Sequence, residues 1–166
     1  MDTIDLFLKE SNAIEDVWDE ESLVQARKAW DYIIGEKELT PLNILRTHKI
    51  LMEGKLPNAG EWRVCEVMIG GHYGKPWPVV PTLICSWVRK VNDKIKESKV
   101  KAWQRIKGNH IEYESIHPFV DGNGRTGRIF LNWQRVKAGM DILVIEEKKK
   151  NDYYEWFQTK GANMMA

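Results

Sequence analysis

Residues 117–128, reading HPFVDGNGRTGR, constrain this chain more than any other feature. They leave one stretch of helical apolar spacing and enter another, so they connect two helices that both have a buried side. Gly122 and Gly124 let the backbone approach a ligand closely and turn its N–H groups inward. Those amides open a helix, and a helix N-terminus favours an anion. Arg125 and Arg128 stand three apart, share a face of the first turns and converge on the same anion. Together the parts describe a cradle for a polyphosphate. Asp121 adds negative charge beside that cradle, which makes sense where it holds Mg²⁺, a hard ion that bridges carboxylate and phosphate oxygens. His117 titrates near neutrality, as a general base needs to. Phe119 reads as the apolar peg that holds the loop on the core.

The surrounding chain supports one domain spanning residues 1–166, with 43% apolar residues to build its core. The fold class is mostly α, a helical bundle with a short β-hairpin flap. Residues 2–17 carry Ile4, Phe7, Leu8 and Ile14 at loosely helical spacing. Residues 20–34 put Leu23, Ala26 and Trp30 on one face before Gly35. Thr40 and Pro41 supply a capping hydroxyl and an N-terminal proline for a helix continuing through Ile44, Leu45, His48, Leu51 and Met52. The helical period fails over 60–80, where Trp62, Val64, Val67 and Ile69 give way to Gly70, Gly71 and Gly74, which reads as a hairpin flap. Pro81 opens a helix with Ile84, Trp87, Val88 and Val91 as its stripe. A further helix over 100–116 presents Trp103, Ile106, His110 and Tyr113, with Gly108 as its weak point. The helix after the motif buries Ile129, Phe130, Trp133 and Val136. Residues 142–145 read as a short extended run, 152–159 as a last helix, and 161–166 as a fraying tail.

Composition narrows the function classes. Lys plus Arg number 25 against 24 Asp plus Glu, so the basic excess of a nucleic-acid binder is missing. No segment approaches the roughly 20 apolar residues that span a bilayer. The first eight residues lack the basic and apolar regions of a signal peptide, and the reading is a cytoplasmic protein. Cys65 and Cys85 lack metal-site or redox spacing and read as reduced, buried thiols. Most of the eight Trp read as core anchors. His48 reads as a satisfied core histidine, His72 as exposed on the flap, and Lys148–Lys150 as a solvated cluster.

The 117–128 stretch resembles the signature of the Fic family, H-P-F-x-[DE]-G-N-G-R-x-x-R, at every specified position. Residues 60–70 look like that family's flap, 81–91 like the helix after it, and 142–145 with Tyr153 and Tyr154 like its closing segment. The resemblance implies transfer of AMP from Mg²⁺-bound ATP to a Ser, Thr or Tyr hydroxyl of a target protein, with self-modification as one outcome. It makes His117 the base and Asp121 the metal ligand. Asn123 and the Gly122 and Gly124 amides grip the α-phosphate region, and Arg125 and Arg128 hold the outer phosphates. The flap at Val67, Met68, Ile69 and Gly70 aligns an extended target segment by strand addition. Tyr153 and Tyr154 line the adenine pocket.

Ser11-Asn12-Ala13-Ile14-Glu15 resembles the inhibitory helix of some family members, [ST]-x-x-x-E followed by Gly or Asn. Within residues 1–17, Ser11 and Glu15 face the same way on a helix. The resemblance implies that Glu15 pairs with Arg128 and blocks productive ATP binding. Asp16 departs from the pattern and puts the helix end in question. Two other readings stay open: removal of AMP from a modified protein at the same site, and a nucleotide-binding regulator without chemistry.

Overall fold

Four helices begin where a side chain caps the first free amides. Asp2 accepts from the Asp5 N–H at 2.7 Å and starts α1 (Thr3–Ile14). Asp19 does the same for Ser22 at the head of α2 (Glu20–Ile34). Thr40 and Asn43 exchange bonds as a capping box, with Pro41 as first residue of α3 (Pro41–Met52). A 3-10 turn at Trp77–Val79 leads into α4 (Val80–Asn92), so Pro81 lies within the first turn rather than at its start. Ser98 caps α5 (Lys99–Ile116). Next come α6 (Asn123–Lys137) and the short α7 (Lys150–Tyr154), which continues as a 3-10 turn at Glu155–Phe157. The computed structural model describes residues 1–158; the expected helix end at Thr159 and the tail at 161–166 lie outside the described residues. No described helix is long and apolar enough to cross a membrane.

The helices meet in one core. Trp87 of α4 is fully buried against Tyr113 of α5 and Phe130 of α6, with ring centroids 5.0 and 6.2 Å away. Its indole N–H donates to the Asn109 carbonyl, so the large apolar body is buried without orphaning the polar edge. Phe7 and Leu8 bring α1 into the same cluster, Phe7 meeting Trp30 edge-on. In α6, facing residues on all sides are buried through 123–134, so it is the central helix of the bundle.

The flap is shorter than the β-favouring composition of 60–80 suggests. Its strands are only β1 (Met68–Ile69) and β2 (His72–Tyr73), paired antiparallel as Met68 with Tyr73 and Ile69 with His72. Gly70 and Gly71 make the turn, both at positive φ as a tight hairpin with this twist requires. Trp62 and Val64 are not strand residues, because the chain before β1 is tied down by Arg63. That guanidinium is fully buried and donates only to carbonyls: His117 at 2.6 Å, Ile116 at 3.1 Å, Cys65 at 2.8 Å, and Lys75. The Arg63 N–H also donates to the Pro118 carbonyl. Residues 142–145 form no strand either. Instead the Asn132 side chain takes both backbone groups of Leu143, giving the run the partners a neighbouring strand would have supplied.

Three expectations about side chains fail. Val136, expected on the buried side of α6, is 37% exposed, because the buried part of that helix ends at Gln134. Trp30, Trp87 and Trp133 are buried, Trp62, Trp103 and Trp156 are half-buried, and Trp18 and Trp77 are exposed. Helix geometry fixes which aromatic faces inward, and a residue count carries no such information. Cys65 and Cys85 are both free and exposed rather than buried. Cys85 lies off the stripe that buries Ile84, Trp87 and Val88, and Cys65 precedes the flap strands.

Gly108 lies in the middle of α5, exposed, with open space where a Cβ would go. Gly108→Ala is expected to stabilise the fold by about 1 kcal/mol through helix propensity alone. Thermal unfolding should show a midpoint about 2–4 °C higher.

Candidate active site

α5 ends at Ile116, and the turn into α6 is built from two left-handed residues. His117 has φ 51° and Gly122 has φ 83°. Glycine adopts that conformation freely, whereas histidine does so at a cost. Arg63, which holds the Ile116 and His117 carbonyls, fixes the chain there. His48 holds the other side. Its Nδ1 accepts from the Gly60 N–H at 2.9 Å, so Nε2 carries the proton and donates to the Asp121 carbonyl at 2.8 Å. The imidazole lies flat on Phe119, 3.6 Å between centroids, and burial drops its pKa to about 4, which keeps it neutral. His48 is therefore the satisfied core histidine expected from the sequence, and Phe119 is a fully buried peg.

Asn123 is buried and its amide is bidentate on Phe119, accepting from the N–H and donating to the carbonyl, each at 2.8 Å. That side chain shapes the loop from inside and offers nothing to a ligand. The N-terminus of α6 has no side-chain cap, so its first amides keep free N–H groups. Arg125 is 5% exposed, and its Nε is sealed from water without a hydrogen-bond partner. Its nearest carboxylate is Asp121, at 3.7 Å. Asp121 itself accepts from the Gly122 N–H and is 66% exposed, so a carboxylate oxygen faces outward beside the uncapped helix end. Among the described residues no three acidic, His or Cys side chains gather to hold a metal unaided. A single carboxylate beside phosphate oxygens nonetheless suits Mg²⁺, which keeps several of its waters.

His117 Nδ1 faces the Glu114 carbonyl at 3.2 Å and carries the proton, which leaves the Nε2 lone pair free. Burial lowers the pKa of this ring, and the nearby Arg63 charge acts in the same direction. The neutral, proton-accepting form is thus favoured at neutral pH. His117, Gly124, Arg128, Tyr153 and Tyr154 line one cavity of about 480 Å³ with Met68, Ile69 and Gly70 of the flap.

Arg128 is 2% exposed and fully engaged. Its Nε donates to Ser11 Oγ at 2.8 Å, and Nη2 donates to the Ser11 carbonyl at 2.9 Å and to Glu15 Oε1 at 2.8 Å. The Glu15 carboxylate lies directly over Gly124, where any Cβ would collide with it. The pairing expected from the sequence is therefore present, and it puts a carboxylate at the end of α6. Asp16 does not disrupt the helix end. It adopts φ 57°, and Val17 and Asp16 close the last turn on the Asn12 and Ala13 carbonyls, a Schellman arrangement.

Behind Arg128 stands a relay that sequence reasoning did not assemble. His110 Nδ1 meets the Gly127 carbonyl, so Nε2 accepts from the Tyr153 hydroxyl at 2.8 Å. The Tyr153 oxygen then faces Arg128 Nη1 at 3.5 Å. Tyr153, 4% exposed, thus braces Arg128 with the hydroxyl, while Tyr154 is half open on the cavity wall. Arg63 and Glu114 were missed as well. The only sequence signal for Arg63 was an arginine inside an aromatic and apolar stretch, and Glu114 gave none.

The sequence profile of the Fic/DOC family matches residues 38–134, more than half of the chain. The protein adenylyltransferase Fic of Drosophila ananassae is 28% identical over 127 residues, covering 76% of this chain and 25% of that protein. The Drosophila yakuba counterpart is likewise 28% identical over 127 residues. The chain spans about a quarter of the length of these curated relatives. A Fic domain containing signaling protein from Bacteroides thetaiotaomicron superposes with TM-score 0.78 at 20% identity, covering 92% of this chain and 70% of that one. Fic-1 from C. elegans superposes at 0.77 with 21% identity, covering 93% and 54%. At those identities the likeness concerns the fold, which agrees with the helical bundle and small hairpin seen here. With its signature intact from His117 to Arg128 and the family profile matched across α3 to α6, this chain belongs to the Fic/DOC family.

Proposed function

We propose that this chain transfers AMP from ATP to a hydroxyl of a target protein. The observation that carries the reading is the end of α6. Free amides and two buried guanidiniums, one with an unpartnered Nε, meet in one place beside a histidine whose Nε2 is free. A buried guanidinium with an unmet donor at a helix N-terminus, beside a second one that holds a carboxylate, calls for an anion with several oxygens, and the adenylyltransferase names of the relatives agree with a nucleotide donor.

In this reading Arg125 and Arg128 hold the outer phosphates and the Gly124 amide faces the α-phosphate; the Gly122 N–H, expected from the sequence to join it, is given to Asp121 instead. The Asn123 side chain keeps that backbone in place. The flap around Met68 to Gly70 presents β1, whose outer edge is unpaired among the described residues, to an extended target segment. His117 Nε2 takes the proton as the target oxygen bonds to the α-phosphorus. The bond to the bridging oxygen breaks, pyrophosphate leaves, and AMP stays on the protein. Asp121 would hold Mg²⁺, which neutralises charge on the phosphates when bound. Tyr154 and the flap flank space for the base, and Tyr153 sets the orientation of Arg128.

The same geometry supports an inhibited resting state. Glu15 occupies Arg128 and covers Gly124, so the place for outer phosphates is held by a carboxylate of the chain itself.

Three tests follow from this mechanism. With ATP labelled separately at the α- and γ-phosphates, only the α-label should become protein-bound in mass or radiolabel analysis. Protein-bound γ-label alone would overturn nucleotidyl transfer.

His117→Ala should lower the rate about 10²–10⁴-fold with nucleotide affinity nearly unchanged, whereas Arg128→Ala should weaken binding itself. Because the folded environment depresses the His117 pKa, the ring stays a base to lower pH than a free imidazole. The acid limb of the kcat/KM profile should therefore lie below pH 6.5.

Glu15→Gly should activate the enzyme. A tenfold gain corresponds to about 1.4 kcal/mol of lost inhibition, within the reach of one charge-assisted pair. Glu15→Gln keeps shape and helix propensity but removes the charge, and initial rates of both variants should rise together. Activation by glycine alone would assign restraint to helix docking instead of charge.

A further inference from the structure

Glu114 takes no part in the mechanism above, yet it lines the same cavity as His117, Arg128 and Glu15. It lies on the last turn of α5, and its side chain is 13% exposed. Its Oε1 is sealed from water and has no hydrogen-bond partner. That oxygen packs against the backbone of α6 at Gly127, where a Cβ on the glycine would collide with it. Gly127 is thus the only kind of residue that leaves room for the carboxyl. An ionised carboxylate with one oxygen sealed and unpaired is expensive, whereas a neutral acid loses far less by the same burial.

The groups facing it come from four elements. His110 on α5 is 4.0 Å away and neutral, since burial drops its pKa to about 3. Arg128 approaches from α6, Glu15 from α1 and Tyr153 from α7, with His117 further along the same wall. Burial pushes Glu114 up to about 7; Arg128 opposes that rise and Glu15 adds to it.

We infer that Glu114 is a further donor-binding residue, one that must enter the complex as the neutral acid so that Arg128 is left to the incoming phosphates. This rests on the nucleotide reading of the site. An ionised Glu114 sets a second negative charge beside whatever anion shares Arg128, whether the Glu15 carboxylate or a phosphate. Occupation of the cradle by polyphosphate therefore favours the proton on Glu114, and nucleotide binding takes a proton up. The sign follows from linkage. The bound state holds this proton more tightly than the free state, so affinity is highest below about pH 7 and falls as pH rises through and above that value.

The test uses the full chain carrying Glu15→Gly, with and without Glu114→Gln, titrated calorimetrically with Mg²⁺ and α,β-methylene ATP. That analogue cannot lose its pyrophosphate portion. Buffers of different ionisation enthalpy report the protons exchanged, and the protonation of the analogue itself is common to both proteins. Glu15 raises the Glu114 pKa, so its removal lowers the free-state midpoint from about 7, and above that midpoint the Glu114 protein should lose affinity by up to about tenfold per pH unit relative to the Glu114→Gln protein. It should also take up as much as one more proton on binding. Equal slopes and equal proton counts would overturn the assignment of Glu114 while leaving the nucleotide reading intact. Absence of binding in both proteins would overturn the nucleotide reading and this inference with it. Should Glu114→Gln fail to fold, carbon NMR of the Glu114 protein labelled at glutamate carboxyls decides. One carboxyl titrating near neutrality, with its midpoint raised by the analogue, is expected, and no such resonance would sink the proposal.

Discussion

The burial of Arg128 is the constraint around which this molecule is organised. A guanidinium withdrawn from water must find oxygen partners for its donors, and leaving them unmet costs several kcal/mol. Here the partners come from both ends of the chain: Ser11 and Glu15 of α1, and Tyr153 of α7. Burial alone would depress the arginine pKa, and the facing oxygens of Tyr153 and Glu15 outweigh it, so the charge is held firmly. The Tyr153 hydroxyl is in turn aimed by His110, whose tautomer is dictated by the Gly127 carbonyl one residue before Arg128. The arginine thus sets where α1 and α7 pack, and a ligand that competes for it competes with the fold's own partners.

The loop before α6 solves a related problem. His117 and Gly122 are both left-handed, and only one of them is a glycine. The strained histidine persists because its carbonyl is held by Arg63, its ring by the Glu114 carbonyl, and the far side of the loop by His48 and Asn123. Gly122 packs against Met52 and His48, where a Cβ would meet sulfur at 3.0 Å, so the residue is required by space as well as by φ. Such rigidity suits the proposed chemistry, in which a general base and free amides would act on one phosphorus with their spacing fixed before the substrate arrives.

What was legible in the sequence was what is local. The signature from His117 to Arg128, the caps at Thr40 and Pro41, and the Ser11–Glu15 spacing are all encoded within a turn or two of chain. The helix order followed from them. Less legible were partnerships that close over long separations. Arg63 lies 54 residues from His117 and His110 lies 43 from Tyr153, and neither pair leaves a periodic trace. Asn123 shows a different limit. Its place in the signature was readable, but whether its amide faces the ligand or the loop depends on the fold of Phe119 above it. The short hairpin was legible from its β-favouring residues and glycines, but where its strands begin was not, because Arg63 claims the backbone before Met68.

The attachment of α1 bears on how the proposed inhibited state would be released. Phe7 and Leu8 belong to the main core, Arg27 joins Asp2 and Asp5, and Glu10 accepts from the Glu147 N–H. Burying two large apolar side chains contributes roughly 3–6 kcal/mol, as much as or more than the roughly 1.5–3 kcal/mol of a hydrogen bond to a charged group. Loss of the Glu15 contact therefore leaves the helix docked, because its last turn from Ser11 to Ile14 is buried and Ser11 keeps its own two bonds to Arg128. The open part is Glu15 itself, the C-cap residue, whose side chain is 37% exposed. The helix then ends on Asp16 in a left-handed conformation that glycine adopts without strain, closed by the Schellman bonds of Asp16 and Val17. The residue that departs from the inhibitory-helix pattern thus carries its strain beside Glu15, apart from the buried contacts of Phe7, Leu8, Ser11 and Ile14.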